Sequence, residues 1–417
     1  MKNITKIYIV FVLTILSFIF CQNTSGIAPF ASGADVSWVT QMEANGKKFY
    51  NSSGTHMECM TLLKSLGMNS IRLRVWVNPT DGWCNSQDLL VKAIRANNLG
   101  MRIMIDFHYS DWWADPSKQT KPAAWTSLSF TDLKKAVATH TTDVLNLLKT
   151  NGITPEWVQV GNETGNGMLW EDGRANINMA NYAQLNNAGY DAVKAVFPDA
   201  KVIVHVQNGN DNGLFRWLFD GLKNNGARWD VIGMSLYPSI ANWPAMNISC
   251  LANMNDMVSR YGKEVMICEV GMSWDQPLST KNFLTDLIAK TKLVTGNKGL
   301  GLFYWEPECI NSWNQYSLGA FDNTGKPTVA LDAFNIQTDV TNQKINLLSA
   351  SWNVETNTVI FNEPVESAIL YDLNGRVMGQ VKNSNYLKPV AISAGIYLIK
   401  AKRSDSTEII TLKIINR

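Results

Sequence analysis

The sequence predicts an α/β protein, a (β/α)8 TIM barrel followed by a small C-terminal β-sandwich. From Gly33 to about Asn335, strand-like apolar runs alternate with longer segments of helical spacing, which is the pattern of a parallel sheet. Eight such units over about 300 residues fit a closed barrel better than an open sheet. After about Gln337 the runs become short and are separated by turn residues, which predicts the sandwich.

The eight predicted barrel strands are short, apolar and rich in β-branched residues. They are Ala34–Val39, Ser70–Val77, Arg102–Tyr109, Glu156–Glu163, Lys201–Asn208, Val231–Pro238, Glu264–Gly271 and Gly299–Pro307. The predicted helical segments between them include Met57–Leu66, Leu89–Asn98, Asp132–Lys149, Tyr182–Phe197, Leu214–Asn224 and Asn282–Thr295. Together they assign residues 27–336 to the barrel.

The N-terminus has the composition of an export signal. Two lysines precede an apolar run from Ile7 to Phe20, which has the length of a signal-peptide core and is short for a membrane span. Cys21 follows a phenylalanine rather than a small residue, which favours ordinary cleavage over lipid attachment. We therefore expect a signal peptide over residues 1–26 and a secreted or cell-surface protein that passes through the periplasm.

Charge and cysteine content exclude several classes of function. The formal net charge is +2, so nothing points to nucleic acid as a partner. The six cysteines contain no CxxC pair and the four histidines are scattered, so we predict no metal site and no cofactor. With Cys21 removed or near the cleavage point, five cysteines remain, and we expect at least one free thiol in a monomeric protein.

Polar and aromatic side chains collect at the C-terminal ends of the predicted strands, the face where such barrels place their active sites. The fourth predicted strand ends at Glu163 and the seventh has Glu269 near its end, and these strands lie across the barrel axis from each other. Cleavage of a glycosidic bond needs two carboxyls in one cleft. In retaining enzymes one donates a proton, and the other, about 5 Å away, attacks as a carboxylate.

The residues around the two glutamates predict how each is held. Asn162 is expected to hold a sugar 2-hydroxyl, a contact that strengthens in the transition state. Arg74, at the end of the second strand, is expected beside Glu269, where it keeps the carboxylate ionised. Tyr237, at the end of the sixth strand, is expected to hydrogen-bond and orient the same carboxylate. A lone strand-end glutamate is as often a structural ion pair, but the pair with these neighbours favours catalysis.

Four further positions are candidates for substrate contact. His108 is expected to donate or accept a hydrogen bond with the substrate, whereas for His205 a substrate contact and a structural role are equally supported. Trp305 is expected to form a sugar platform. Glu306 is either a substrate contact or the partner of a neighbouring side chain. Further tryptophans that bind sugars at outer positions or pack in the core are Trp112, Trp113 and Trp313.

The sequence blocks that contain these residues resemble those of glycoside hydrolase family 53. The blocks are Gly33-Ala-Asp-Val-Ser37, Arg72-Leu-Arg-Val-Trp76 with Asn78-Pro79, Asp106-Phe-His-Tyr-Ser-Asp-Trp-Trp-Ala-Asp-Pro116, Gln159-Val-Gly-Asn-Glu163, Asp230-Val-Ile-Gly233 through Tyr237-Pro238, and Phe303-Tyr-Trp-Glu-Pro307. The third block is long and specific. The Asn-Glu pair with a strand-7 glutamate indicates only the clan.

The resemblance implies an endo-acting, retaining β-1,4-galactanase for type I arabinogalactan and pectin side chains. It also implies Glu163 as acid/base and Glu269 as nucleophile. The chain departs from many members after the nucleophile, where it has Val270-Gly-Met-Ser-Trp-Asp275, so the sugar-binding positions of loop 7 are in question. Some members bind a structural calcium in loops 7 and 8, but no calcium-loop pattern is present here. The alternatives are a mannanase or cellulase of the same clan, or a catalytically silent galactan-binding surface protein.

The tail, residues 337–417, resembles the C-terminal sorting domain of type IX secretion in Bacteroidetes. The resemblance lies in Leu370-Tyr-Asp-Leu-Asn-Gly-Arg376, Ala394-Gly-Ile-Tyr-Leu398 and Leu412-Lys-Ile-Ile415. It implies a secretion machinery as partner and passage across the outer membrane; the alternative is a carbohydrate-binding or spacer sandwich. The predicted tail strands are Ile345–Ser351, Thr358–Phe361, Ala368–Asp372, Gly375–Gln380, Gly395–Ala401 and Ile409–Ile415.

Overall fold

The computed structural model describes residues 29–335, 348, 350–353, 356–390, 392–403 and 409–416. The predicted signal peptide and Cys21 lie outside the described residues. The chain divides into two compact units, with the boundary between residues 336 and 337.

Eight parallel strands form a closed barrel in the first unit, which confirms the predicted fold class. Neighbouring strands pair in chain order, and the eighth closes onto the first through pairs such as Ala34 with Tyr304. The strands are β1 (Ala31–Asp35), β2 (Ser70–Val75), β3 (Arg102–Phe107), β4 (Trp157–Val160), β5 (Lys201–Val206), β6 (Val231–Leu236), β7 (Glu264–Val270) and β8 (Gly299–Trp305).

Side chains from the strands fill the lower part of the barrel interior, because every second residue of a strand points inward. The interior is tight: a Cβ at Gly33 of β1 would lie 2.3 Å from the ring of Phe303, so this position requires glycine. Towards the C-terminal ends the inward side chains become polar. The buried apolar cluster below them consists of Ala31, Met104, Trp157, Ile203, Val231, Met266, Cys268 and Phe303.

Eight helices cover the barrel, two in the connection from β1 to β2 and one in each later connection up to β8. They are α1 (Val39–Ala44), α2 (Cys59–Ser65), α3 (Ser86–Asn98), α4 (Phe130–Thr150), α5 (Ala175–Val196), α6 (Asn212–Asn224), α7 (Trp243–Tyr261) and α8 (Pro277–Lys292). A two-stranded ribbon, Phe49–Tyr50 with His56–Met57, lies between α1 and α2. None of the helices among the described residues is long and apolar enough to cross a membrane.

The predicted helical segments do not include α1 or α7. Helix α7 turns polar residues towards the core, which hides the apolar period that identifies a helix in sequence. Asn247 donates to the Phe283 carbonyl at 3.2 Å, and Asn253 donates to the Gly209 carbonyl at 2.8 Å. These hydrogen bonds satisfy the two amide groups as donors, so their burial costs little free energy.

The second unit is an antiparallel sheet of five strands, the sandwich-like β domain that the sequence predicts. Its order is β9-β10-β12-β13, with β11 paired to β10. Two predicted strands prove to be one, because the sheet continues past Pro364 through a register shift between Ile360 and Val365. The start of predicted strand Ile345–Ser351 lies outside the described residues. The strands are β9 (Ala350–Asn353), β10 (Thr358–Tyr371), β11 (Val377–Leu387), β12 (Gly395–Arg403) and β13 (Ile409–Asn416).

Candidate active site

A cavity of about 350 Å³ opens at the C-terminal ends of the barrel strands. Seven of the nine predicted site residues line it, and the exceptions are Arg74 and His205. The cavity therefore joins residues that lie far apart in the sequence, as the barrel topology predicts. Its lining is His108, Trp113, Ala114, Asp115, Lys118, Asn162, Glu163, Tyr237, Glu269 and Trp305.

Glu269, in β7, is held by a cation and a hydroxyl. Arg72 Nη2 lies 2.8 Å from its Oε1, and the Tyr237 hydroxyl donates to its Oε2 at 3.0 Å. The contact from Tyr237 is the one expected from the sequence. Both partners favour the charged form of the carboxyl, since a cation and a donor each stabilise a carboxylate.

Arg72, and not Arg74, is the arginine beside Glu269, so that part of the sequence prediction was wrong. Both side chains point into the barrel from β2, two residues apart, and both are fully buried. The long side chain of Arg72 spans upward from the deeper layer, whereas Arg74 turns to Glu306 at 3.2 Å. Proximity to the strand end is therefore a poor guide to which arginine reaches the carboxylate.

Arg72 is also the centre of a buried ion network. It contacts Asp35 at 2.6 Å and Asp106 at 2.8 Å, and its Nε donates to Gln159 at 2.8 Å. Burial alone would raise the pKa of Asp106, but Arg72 and His108 hold it at about 2. The network fixes the guanidinium in one position, because all three of its nitrogens donate to buried acceptors.

Glu163 follows β4 in a left-handed conformation, with φ of 46°. Burial raises the pKa of its carboxyl above the ordinary value, and the negative charges of Asp115 and Asp106 add to this effect. Donation from Ser235 and the charge of Arg72 oppose it. A left-handed glutamate costs conformational energy, and such residues concentrate at functional sites.

The two catalytic candidates share one environment, and each charge disfavours the other. Burial raises the pKa of Glu269 as well, and the charge of Glu163 raises it further. We assign the ionised form to Glu269, because Arg72 and Tyr237 contact its two oxygens directly. The proton near neutral pH then belongs to Glu163, which gives one acid and one carboxylate.

His108 lines the cavity, but the protein already engages both of its ring nitrogens. Its Nε2 lies 2.9 Å from Asp106, and its Nδ1 accepts from the Ala114 N–H at 3.2 Å. This pairing places the proton on Nε2, and burial lowers the pKa of the ring. Both ring nitrogens are therefore engaged within the protein, and a hydrogen bond from His108 to substrate stays a prediction.

His205 is fully buried in β5 and does not line the cavity. Its predicted place among the substrate contacts is wrong, and its structural alternative is correct. The Nε2 atom lies 2.8 Å from Ser235 Oγ, and Nδ1 lies 3.0 Å from Asn162 Oδ1. Burial lowers the pKa of His205 well below its usual value, so the ring is neutral.

Asn162, whose amide lines the cavity, is fixed from two sides. Its Oδ1 accepts from Arg72 at 3.0 Å and its Nδ2 donates to the Ala114 carbonyl at 2.9 Å. The second hydrogen of the amide nitrogen is not used by these contacts. Asn162 therefore has the chemistry expected for a contact to a sugar hydroxyl.

Aromatic side chains form one wall of the cavity and of a second cavity of about 530 Å³ beside it. Trp113 and Trp305 line both, with ring centroids 5.8 Å apart. The Arg74 guanidinium lies 4.2 Å from the Trp113 ring, a cation–π distance that holds the wall in place. The second cavity is lined by Trp38, Gln41, Asp81, Trp112, Trp113, Trp305, Asn314, Gln315 and Tyr316.

Glu306, after β8, is a structural partner and not a substrate contact. It is fully buried, accepts from the Trp38 N–H at 3.1 Å and pairs with Arg74. Buried Glu308 lies against it, and burial raises the pKa of Glu308 well above the usual value. Two carboxyls form a hydrogen bond only if one is protonated, so Glu308 is the neutral member. The pair fixes the end of β8 behind Trp305.

Three residues of the site escaped the sequence prediction: Arg72, Gln159 and Ser235. Arg72 and Ser235 lie two positions before Arg74 and Tyr237, and Gln159 lies three positions before Asn162, so all three lie deeper in the barrel than the predicted residues. The alternation of inward and outward side chains would have located them. A polar residue at an inward position of an otherwise apolar strand is the signal.

Asp275 of loop 7 and Asp322 of loop 8 are engaged in hydrogen bonds within their own turns. Asp275 accepts from the Ser273 hydroxyl, and Asp322 caps its own turn through Thr324. No group of three or more His, Cys, Asp or Glu side chains within residues 29–335 and the described parts of the tail is arranged to hold a metal. The five described cysteines are free and buried.

Comparison with known proteins identifies the family. The model of glycosyl hydrolase family 53 matches residues 31–378. The chain is 35% identical to an arabinogalactan endo-β-1,4-galactanase of Cellvibrio japonicus, over 73% of this chain and 90% of that protein. It is 32% identical to the corresponding enzyme of Thermothelomyces thermophilus, over 72% and 98%.

A solved structure described as a fungal β-1,4-galactanase superposes with a TM-score of 0.68 at 32% identity. The match covers 73% of this chain and 99% of that one. The family match includes the barrel strands with both strand-end glutamates and ends within the C-terminal sheet. This chain therefore belongs to glycosyl hydrolase family 53.

Proposed function

We propose that the chain is an arabinogalactan endo-β-1,4-galactanase that retains anomeric configuration. The observation that carries this is the unlike environment of two carboxyls in one cavity. Arg72 and Tyr237 contact Glu269 directly, whereas Glu163 is buried and lies near negatively charged side chains. Relatives described as arabinogalactan endo-β-1,4-galactanases support the choice of substrate.

In the first step Glu269 attacks the anomeric carbon of the bound galactosyl unit. The bond between that carbon and the leaving O4 breaks, and Glu163 transfers its proton to this oxygen. The product is a galactosyl ester of Glu269 and a shortened chain with a free hydroxyl. Asn162 is placed to hydrogen-bond a ring hydroxyl as positive charge develops at the anomeric carbon.

In the second step the now ionised Glu163 takes a proton from water, and the water oxygen attacks the anomeric carbon of the ester. The bond to Glu269 breaks and its carboxylate is restored to the Arg72 ion pair. Two displacements at one carbon give net retention. Glu163 regains its proton, so both carboxyls return to their starting states.

The length of the cleft supports cutting within a chain. The second cavity adjoins the first through Trp113 and Trp305, which leaves room for sugar units beyond the one that reacts. Aromatic faces suit the apolar face of a galactosyl ring. The type I arabinogalactan side chains of pectin supply such a β-1,4-linked chain.

A substrate panel tests the assignment. Purified protein is expected to release short galacto-oligosaccharides from debranched galactan and to leave mannan and cellulose intact. Proton NMR at early times should show the β-anomer as the first product, because two inversions restore the configuration. Activity only on mannan or cellulose would contradict the substrate. An α-anomer as first product would contradict the mechanism, and no cleavage of any glycan would favour the silent binding protein.

We also propose that the protein is a secreted or surface-exposed monomer. The predicted signal peptide over residues 1–26 and the resemblance of the tail to a sorting domain support export through a secretion machinery. In a host with type IX secretion, the full chain is expected outside the outer membrane, and a chain lacking residues 337–417 in the periplasm. Equal export of both would favour the spacer or carbohydrate-binding alternative.

A further inference from the structure

The segment that carries Glu163 is hydrogen-bonded to β5 through His205. The His205 carbonyl accepts from the Thr164 N–H at 2.8 Å and from the Thr164 hydroxyl at 3.1 Å. Its ring Nδ1 lies 3.4 Å from the Glu163 N–H. His205 therefore hydrogen-bonds two consecutive residues: its main chain contacts Thr164 and its side chain contacts Glu163. Glu163 has its left-handed conformation in this turn.

The same ring connects this turn to β6. His205 Nε2 lies 2.8 Å from Ser235 Oγ, and Ser235 is 1% exposed. The Ser235 hydroxyl also lowers the pKa of the Glu163 carboxyl, which places it near that side chain. One buried imidazole thus contacts Glu163 at its backbone and, through a serine, at its carboxyl.

The hydrogen-bond partners decide which nitrogen of His205 carries the proton. Two donors face Nδ1, the Glu163 N–H and Gln159 Nε2 at 3.1 Å. One acceptor faces it, Asn162 Oδ1, which already accepts from Arg72. A proton on Nε2 satisfies both donors and leaves Nε2–H to donate to Ser235 Oγ. The Ser235 hydroxyl hydrogen is then free to donate to Glu163.

We propose that His205 and Ser235 act together as positioning residues for Glu163. His205 holds the main chain of Glu163, and Ser235 donates a hydrogen bond to the carboxylate that Glu163 becomes after the first step. The inference rests on the proposed retaining mechanism. Neither residue touches substrate, because both are buried beneath the cavity floor.

Loss of the Ser235 hydroxyl should slow only one of the two chemical steps. The first step uses protonated Glu163, which needs no donor, whereas the second uses its carboxylate, which Ser235 stabilises. Removing the hydroxyl therefore slows the second step and makes the carboxyl harder to ionise. The ionisable groups that face Glu163 from the surrounding elements remain in place: Arg72, Asp106, Asp115, His205, Tyr237 and Glu269.

The test is Ser235→Ala in the full chain, assayed on galactan and on an aryl β-galactoside with a good leaving group. We expect kcat on the aryl substrate to fall about 10- to 100-fold, the size of one lost hydrogen bond to a charge. Because the galactosyl-enzyme then accumulates, KM should fall together with kcat, and kcat/KM should change little. Mass spectrometry should detect the accumulated galactosyl-enzyme. The alkaline limb of the pH profile of kcat/KM should move to higher pH.

The matched control is Ser70→Ala, which removes another buried strand serine, hydrogen-bonded to Asn69 at the opposite end of the barrel. It is expected to behave as wild type. Ser235→Thr, which keeps the hydroxyl, should recover much of the lost rate. If the alanine variant does not fold, Ser235→Cys keeps the volume with a weaker donor and should show the same selective loss.

An equal fall of kcat and kcat/KM in Ser235→Ala, without accumulated intermediate and with an unmoved pH limb, would show a structural role only and overturn the inference. Unchanged kinetics would overturn it as well. A failure of the proposed function is distinguishable, because it appears as absent galactan cleavage in the wild-type protein measured in the same assay.

Discussion

Replacing Glu269 with alanine is expected to lower kcat on galactan by at least about 10⁴-fold while the barrel stays folded. The variant loses the group that forms the covalent bond, and the acid Glu163 alone cannot replace it. Folding should survive, because Arg72 keeps Asp35 and Asp106 as ionic partners at 2.6 and 2.8 Å. The remaining network still balances its buried charge.

Chemical rescue separates the nucleophile from any other role. The shortened side chain leaves space above Arg72 for a small anion, so azide or formate should restore part of the rate with an activated aryl galactoside. The product with azide should be the α-galactosyl azide, since only one displacement occurs. Glu264→Ala is the control: it removes a carboxylate from the same strand at the opposite end of the barrel, where it pairs with Lys201 at 2.6 Å, and should leave kcat unchanged.

A folded Glu269→Ala variant that no small anion rescues would count against a covalent intermediate. Rescue in Glu264→Ala, or a large loss of rate there, would show that the assay reports stability and not chemistry. Thermal unfolding of both variants, measured beside the kinetics, distinguishes these outcomes.

Strand order and the two glutamates were predictable because they depend on local pattern. Apolar runs of the right length identify strands, and a charge at the end of such a run identifies the reactive face. With eight units counted, Glu163 and Glu269 fall on strands 4 and 7. The position of Tyr237 beside Glu269 follows from the same counting, since β6 and β7 are neighbours.

The reach and depth of side chains were not predictable. Arg72 and Arg74 are both inward residues of one strand, and only the packing around Glu306 decides that Arg74 turns away from the nucleophile. His205 resembles a cavity residue in sequence, but its ring lies in the layer below and is enclosed. The alternation of side chains along a strand predicts which face each one points to. It does not predict which layer of the barrel interior a long side chain reaches.

The correction at β2 leads to a prediction that compares two lysine variants, Arg72→Lys and Arg74→Lys. Lysine keeps the charge but replaces a planar fork with one ammonium, which cannot contact Asp35, Asp106 and Glu269 together. For Arg72→Lys we expect kcat to fall about 10²- to 10³-fold, with a loss of about 2–4 kcal/mol in unfolding free energy. The weaker cation should raise the pKa of Glu269, which must be ionised to attack, so the acid limb of the pH profile should move to higher pH.

Arg74→Lys should separate stability from chemistry. Its guanidinium pairs with Glu306 and lies 4.2 Å from the Trp113 ring, without contact to Glu269. Loss of the planar guanidinium should lower the unfolding free energy about as much as in Arg72→Lys, since Glu306 is equally buried. We expect kcat to stay within about 10-fold of wild type, and the acid limb of the pH profile should not move. Urea unfolding gives the first quantity and the pH dependence of kcat/KM the second. If both variants lose kcat equally while folded, the ion pair between Arg72 and Glu269 does not set the charge of the nucleophile, and the assignment of the proton to Glu163 falls with it.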